Sequence, residues 1–289
     1  MQIEYKLSQA KKGAYLSIAT YTALTILKIL YGWMANSHGL TADGINNATD
    51  VVSSVAILIA LYISQKPVDK NHPYGHYRAE FIASLIASFI MFAASIQVIT
   101  TGVRHFYEGS FNEPSQSAII VGLLSAVIML SVFLYNRNLS IKVNSSALKA
   151  ASYDNLSDAL VSIGTVIGVL GVYAGIPMLD TIAAIIIGLL IMKTSIDIFK
   201  ETAITLTDGY DEDELDQIHD IIAKIDGIYE IRDIKARSHG VMSFIDVTIS
   251  VNPMLSVVES HKISDCIETE LQQRLGEVET IVHIEPHHE

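Results

Sequence analysis

Six apolar stretches crowd into the first two hundred residues of this 289-residue chain. They lie at about 13–35, 39–64, 80–104, 117–137, 147–174 and 178–199, and roughly 20 apolar residues suffice to cross the hydrocarbon of a bilayer. A soluble core can hold one such helix. Six in succession, without charged faces between them, predict a membrane α-helical bundle of six transmembrane helices. The third stretch is the cleanest, with no charge from Phe81 to Gly102. A turn around Gly175, Ile176 and Pro177 joins the fifth and sixth. With 50% apolar and only 17% charged residues, and a mean hydropathy of +0.38, a disordered chain is excluded and an ordinary soluble enzyme disfavoured.

The remaining residues have a different character. The net charge of −12 is carried almost wholly by residues 208–289, because residues 1–207 hold 13 basic and 12 acidic side chains against 6 and 19 in the tail. So acidic a tail makes nucleic acid an improbable partner. Within it, Asp211 to Lys224 places Leu215, Ile218, Ile221 and Ile222 on one helical side. Ile228 to Arg237 predicts a strand, and Ile245, Val247, Ile249 and Val251 alternate as a half-buried strand should. Ser256 to Leu275 predicts a helix with Ile263, Ile267 and Leu271 at fourfold spacing, and Val278 to Glu285 alternates again. The expected order is α-β-β-α-β, a small cytoplasmic α+β domain over residues 208–289 behind a six-helix transmembrane domain over residues 1–207. The single Cys266 excludes an intramolecular disulfide and a Cys-rich metal site.

Basic residues orient the bundle. Lys6, Lys11 and Lys12 precede the first stretch, and Lys66, Lys70 and Arg78 lie between the second and third. Arg137, Lys142 and Lys149 bracket the fourth connection, and Lys200 follows the sixth stretch; the opposite side has only Arg104 nearby. An even number of spans with this bias places both termini in the cytoplasm, with the chain in the cytoplasmic (inner) membrane. Lys28, inside the first stretch, is read as a snorkelling side chain near the outer surface.

Ionisable residues at membrane depth carry the functional information. Asn46 and Asp50 are four apart on the second helix, and Asp154 and Asp158 repeat that spacing on the fifth. Each pair shares one helix face, so two facing helices would form a cage of three carboxylates and one amide. Each Asp at a helix centre costs about 2.5–3.5 kcal/mol, so three would cost on the order of 8–10 kcal/mol if left facing lipid. No Lys or Arg stands at matching depth on these two helices. A divalent ion, protons or a water-filled cavity must compensate. The ligands are all oxygen, with no His mid-span, and this favours hard ions such as Mn²⁺ or Mg²⁺ over Zn²⁺, Cu⁺ or Ni²⁺. Asp43, one turn outward, belongs to an outer vestibule, while Asn47 and Asn155 add a ligand or brace one.

Three segments carry a resemblance: Gly39–Ser54, the run from Asp69 through His72, His76 and Arg78 to Glu80, and the Asp154/Asp158 motif. Together, in this order and on these helices, the chain resembles the cation diffusion facilitator family over nearly its whole length. That resemblance implies a homodimeric transporter exporting divalent metal from the cytoplasm in exchange for protons, by alternating access at Asn46, Asp50, Asp154 and Asp158. Zinc members typically have His or Asp first on helix 2 and His first on helix 5. Asn46 and Asp154 occupy those positions here, so the quartet resembles the manganese-exporting branch. The expected cargo is Mn²⁺. The alternatives are a Zn²⁺ or Fe²⁺ exporter, or a membrane metal sensor that does not transport. No nucleophile or general-base motif supports an enzyme.

Two further metal candidates stand outside the bilayer. Asp69, His72 and His76 fall close together in the loop after the second span, where they either bind a borderline ion such as zinc or shape a tight turn. The resemblance also implies that the tail dimerises and binds regulatory Zn²⁺ or Mn²⁺ through His261, His283 and Glu285. Two further His of that pattern are replaced by Arg232 and Thr248.

Overall fold

The computed structural model describes residues 2–34, 38–108, 116–176 and 178–287. Ala35 at the end of the first expected span, Pro177 of the expected turn, and His288 lie outside them. The long helices are α1 (Gln2–Met34), α2 (His38–Ser64), α3 (Ala79–Glu108), α4 (Gln116–Val143), α5 (Ser146–Tyr173) and α6 (Met178–Leu206). Several outrun the apolar stretches behind them: α1 starts at Gln2 instead of 13, and α4 continues to Val143 instead of 137. A helix satisfies its backbone internally and need not stop at the bilayer surface. Lys11, in the extension of α1, donates from Nζ to Gln65 Oε1 at 2.7 Å and lies 4.2 Å from the Tyr62 ring centre.

Among the described residues, five of these helices, α1 to α4 and α6, are long and apolar enough to cross a membrane by themselves. Composition therefore supports five spans where six were expected. The difference is α5, whose first half carries Lys149, Asp154 and Asp158.

Packing in this bundle reverses the soluble pattern. Large apolar side chains line the outside, as Ile82, Ile86 and Phe89 do on α3 and Leu123, Val127 and Leu130 on α4. Small residues fill the inside, including Ala10, Ala14, Ala83, Ala87, Ala147 and Ala150 together with Ser17, Ser54, Ser84, Ser88 and Ser152. Small residues let helices approach closely where lipid supplies no hydrophobic drive between them. Gly44 is one such close approach, since a Cβ there would lie 2.7 Å from Ile29 Cγ1 and 3.0 Å from the Ile29 nitrogen. Gly44 thus lets α2 lie directly on α1 beside Lys28.

The depth of α5 is set by its start. Asn144 takes a left-handed conformation (φ 54°), and Ser145 Oγ accepts the Leu148 N–H at 3.3 Å. The same hydroxyl donates to Glu80 Oε2 at 2.5 Å, tying the buried first turn of α3 to α5. Lys149 pairs with Glu201 of α6.

Backbone contacts divide the chain into two compact units, one over Gln2–Thr202 and one beginning at Ala203. The second contains α7 (Glu212–Ile222), β1 (Ile228–His239), β2 (Met242–Val251), α8 (Val257–Leu275) and β3 (Val278–Pro286), the expected α-β-β-α-β order. The sheet order is β1-β2-β3, antiparallel between β1 and β2 and parallel between β2 and β3. Its core joins Ile218, Ile221 and Ile222 to Ile245, Val247, Ile249 and Val251 and to Ile267 and Leu271, all buried. Asp211 caps α7, its carboxylate accepting the N–H groups of Asp213 and Glu214.

Candidate metal centre

The fourfold spacings on α2 and α5 do what helical geometry requires of them. Asp50, Asp154 and Asp158 each turn a carboxylate oxygen to a common point, and these oxygens lie within 4.8 Å of one another. Oxygen ligands of one hard ion stand about 2.0–2.6 Å from it, so opposed oxygens are separated by about 4–5 Å. Asn46 lines the same cavity, of about 610 Å³, with Gln97 and Thr101 of α3 and Ser157 and Ser162 of α5 adding further oxygens. Among the described residues no His or Cys lines it, and its sulfur atoms are the thioethers of Met91 and Met129.

The surroundings brace the acids. Asn47, buried, donates from Nδ2 to Asp50 Oδ2 at 3.2 Å. Asn155, also buried, reaches the carboxylates only through Tyr21: its Nδ2 donates to the Tyr21 hydroxyl at 3.0 Å. That hydroxyl is 2.5 Å from Asp158 Oδ2 and 3.3 Å from Asp154 Oδ2. Tyr21 is fully buried on α1, and nothing in the sequence singled it out. Its one signal is a phenol in the middle of the span, where Leu16 to Leu27 are otherwise aliphatic or small, and a buried phenol usually places its hydroxyl against a partner.

Lys28 corrects its sequence reading. It does not snorkel; its side chain is 3% exposed, and Nζ lies 2.8 Å from Asp43 Oδ2. Both residues line the carboxylate cavity. The close packing at Gly44 draws Lys28 inward to a partner on α2, which replaces the water a snorkelling ammonium would seek.

Outside the bundle, Asp69, His72 and His76 also bring ligand atoms within 4.8 Å of one another. Asp69 Oδ1 accepts the N–H groups of Asn71 and His72 at 2.9 and 2.8 Å and stands 3.1 Å from His72 Nδ1; Oδ2 stands 3.4 Å from His76 Nε2. These contacts, led by the His72 backbone N–H, hold the Asp69 carboxyl below its ordinary range. Gly75, at φ +79°, turns the chain between the two His. The trio is thus both a tight turn and a ligand-sized cluster.

The tail trio does not converge within one chain. Val282 and Ile284 pack into the helix-covered core, so His283 and Glu285 alternate to the other side of β3. His261 stands exposed on α8, 3.6 Å from Asp265. Glu285 is held by Arg232, one of the two positions where a further His was expected, and lies 3.5 Å from His283 Nε2. Among the described residues only the Asp50 and Asp69 clusters gather three such ligands.

An acidic, cation-sized cage buried in an apolar helical bundle, followed by a compact α+β tail, defines a membrane carrier of small cations. Residues 14–207 match the cation efflux transmembrane domain, and residues 210–287 match the cytoplasmic domain of cation efflux proteins. The chain belongs to the cation efflux family, the cation diffusion facilitators, and its activity is metal-cation efflux, a transporter's and not an enzyme's. It is 44% identical to the manganese efflux system protein MneS of Bacillus subtilis strain 168, over 97% of each chain. It is 42% identical to the uncharacterized transporter YdbO of the same organism, over 99% of each. A third relative there, the manganese efflux system protein MneP, is 30% identical over 97% of each.

Proposed function

We propose that this chain exports Mn²⁺ from the cytoplasm in exchange for protons, working as a homodimer in the cytoplasmic membrane. The observation that carries the reading is the convergence of Asp50, Asp154 and Asp158 in a cavity whose described lining adds the side-chain oxygens of Asn46, Gln97, Thr101, Ser157 and Ser162 and no His or Cys. Asn46 supplies a neutral amide oxygen to the same ion. Such a donor set matches a hard divalent cation, and the manganese efflux relatives MneS and MneP support the same choice.

In this reading α5 is the sixth span. Its acids and Lys149 turn toward the other helices, and its outer surface carries Ile167, Leu170 and Tyr173. Six spans and the basic connections leave both termini in the cytoplasm. Mn²⁺ enters the cage from that side, the bundle rocks to open outward, and protonation of the carboxylates releases the ion. Protons carried back on the same groups reset the cycle. Three acids this close titrate as a group. The tail from residue 208 pairs with that of a second copy. The Asp69, His72 and His76 cluster, in the connection between α2 and α3, is a second metal site of borderline character.

Ligand substitution tests the central site. Asp50→Ala is expected to lower Mn²⁺ affinity more than about 100-fold, beyond the loss that follows from disturbing a supporting residue, while the protein elutes as the same dimer. Asp154→His is expected to shift selectivity from Mn²⁺ toward Zn²⁺ in competition binding. Wild-type Mn²⁺ binding by Asp50→Ala, or unchanged selectivity in Asp154→His, contradicts the assignment.

A further inference from the structure

We propose that Tyr21 is a positioning residue of the transport site, its hydroxyl occupying the place between the α5 carboxylates that a bridging cation takes on loading. The proposal rests on the reading of Asp50, Asp154 and Asp158 as that site.

The geometry is specific. One hydroxyl stands 2.5 Å from Asp158 Oδ2 and 3.3 Å from Asp154 Oδ2, so it lies against both acids of the α5 pair. A cation bridging these two oxygens competes for the same space and the same lone pairs. Lys28 is not available for that role, since its ammonium is committed to Asp43 at 2.8 Å.

The direction of the Tyr21 proton is fixed from behind. Asn136 on α4 donates from Nδ2 to Asn155 Oδ1 at 3.0 Å and to Ser17 Oγ at 2.9 Å. Ser17 in turn donates to Asn155 Oδ1 at 3.2 Å, and Asn155 Nδ2 donates to the Tyr21 oxygen at 3.0 Å. With an N–H already directed at its oxygen, the phenol has one proton to give, and the acids are where it points. Every donor in the chain faces the carboxylates, and hydrogen bonds in such a row polarise one another. Ser17, Tyr21, Asn136 and Asn155 are all fully buried, which shields these bonds from bulk solvent. Gly13 leaves the space this row needs, because a Cβ there would lie 2.7 Å from Asn136 Oδ1.

The consequence is a site with a built-in placeholder. In the empty cage the phenol offsets part of the repulsion among the acids and keeps the α5 pair aimed. On loading, the cation displaces that hydrogen bond, so its net affinity is lower than the bare acids would give, and release is correspondingly faster.

Tyr21→Phe removes the hydroxyl and keeps the ring. With full-length protein in detergent, titrated calorimetrically with manganese(II) chloride at fixed pH, this variant is expected to bind about tenfold tighter, the loss of one hydrogen bond to a charged group. In proteoliposomes its KM and kcat for Mn²⁺ are expected to fall together. Asn136→Ala, three hydrogen bonds away from the acids, is expected to move both in the same direction by a smaller factor. A merely structural role would lower thermal stability and leave the KM-against-kcat split unmoved. Unchanged affinity in Tyr21→Phe overturns the proposal, and so does weaker affinity, which would make the phenol itself a ligand. Asp158→Asn run alongside separates the two levels: wild-type Mn²⁺ binding by that variant would overturn the site reading itself, and the placeholder with it.

Discussion

Lys28 and Asp43 form an ion pair whose two members are not equivalent. The Lys28 side chain is 3% exposed and that of Asp43 is 43% exposed. Asp43→Asn strands a buried ammonium and is expected to cost about 3–5 kcal/mol of stability. Lys28→Met leaves a carboxylate that water already reaches, and its expected cost is within about 1 kcal/mol. The double variant should recover most of the loss seen in Asp43→Asn. Thermal unfolding of the four proteins in detergent checks this, and equal costs for the two single variants would contradict the burial asymmetry. The same pair marks where residue-level reading ran out. The fourfold spacing of Asn46 with Asp50 and of Asp154 with Asp158 is visible in the sequence, because helix periodicity alone puts each pair on one face. Whether a lysine one-sixth of the way from the end of its helix reaches outward or inward depends on its neighbour, here on the glycine at 44. Tyr21 was hidden for the same reason, since its partners come from a helix more than 130 residues away.

At the level of single elements, α8 offers the clearest test. Ser256 and Glu259 form a capping box in which the Ser256 oxygen accepts the Glu259 N–H and the Glu259 carboxylate accepts the Ser256 N–H at 2.8 Å. These bonds, the Ser256 hydroxyl first, hold the Glu259 carboxyl below its ordinary range. A carboxylate depressed on folding contributes stability above its unfolded value, about pH 4.3, and that contribution is lost as pH falls through the depressed folded value. Hydrogen exchange in the first turn of α8 of the full-length protein, divided by the intrinsic amide rate at each pH, is therefore expected to be slowest at neutral pH and to rise at acid pH. Ser256→Ala should speed it at neutral pH by the equivalent of about 1 kcal/mol and flatten the pH dependence. A pH profile unchanged by Ser256→Ala would contradict the capping role. The elements of the tail were legible because each buries one face: Ile245, Val247, Ile249 and Val251 alternate in sequence and are buried in the fold. The ends of the long helices were not, because apolarity marks the hydrocarbon and the helix continues past it. Strand alternation, read for each residue, separates His283 and Glu285 from His261, which spacing along the chain cannot show.

For the whole molecule, the account turns on charge compensation. Three carboxylates converge within an apolar bundle whose one buried lysine among the described residues is already paired with Asp43. In the proposed cycle their compensation falls to a visiting cation and, in the return step, to protons and the hydroxyl of Tyr21. The family match fixes metal-cation efflux as the activity; the oxygen donor set and the coupling to protons are what remain to be measured together. The most direct measurement is Mn²⁺ flux into proteoliposomes of the purified protein under an imposed pH gradient, with Zn²⁺, Fe²⁺ and Mg²⁺ as competitors. Flux is expected to run against the proton gradient, to collapse when the gradient is dissipated, and to be displaced weakly by Zn²⁺. Flux indifferent to the gradient, or a preference for Zn²⁺ over Mn²⁺, would contradict the account.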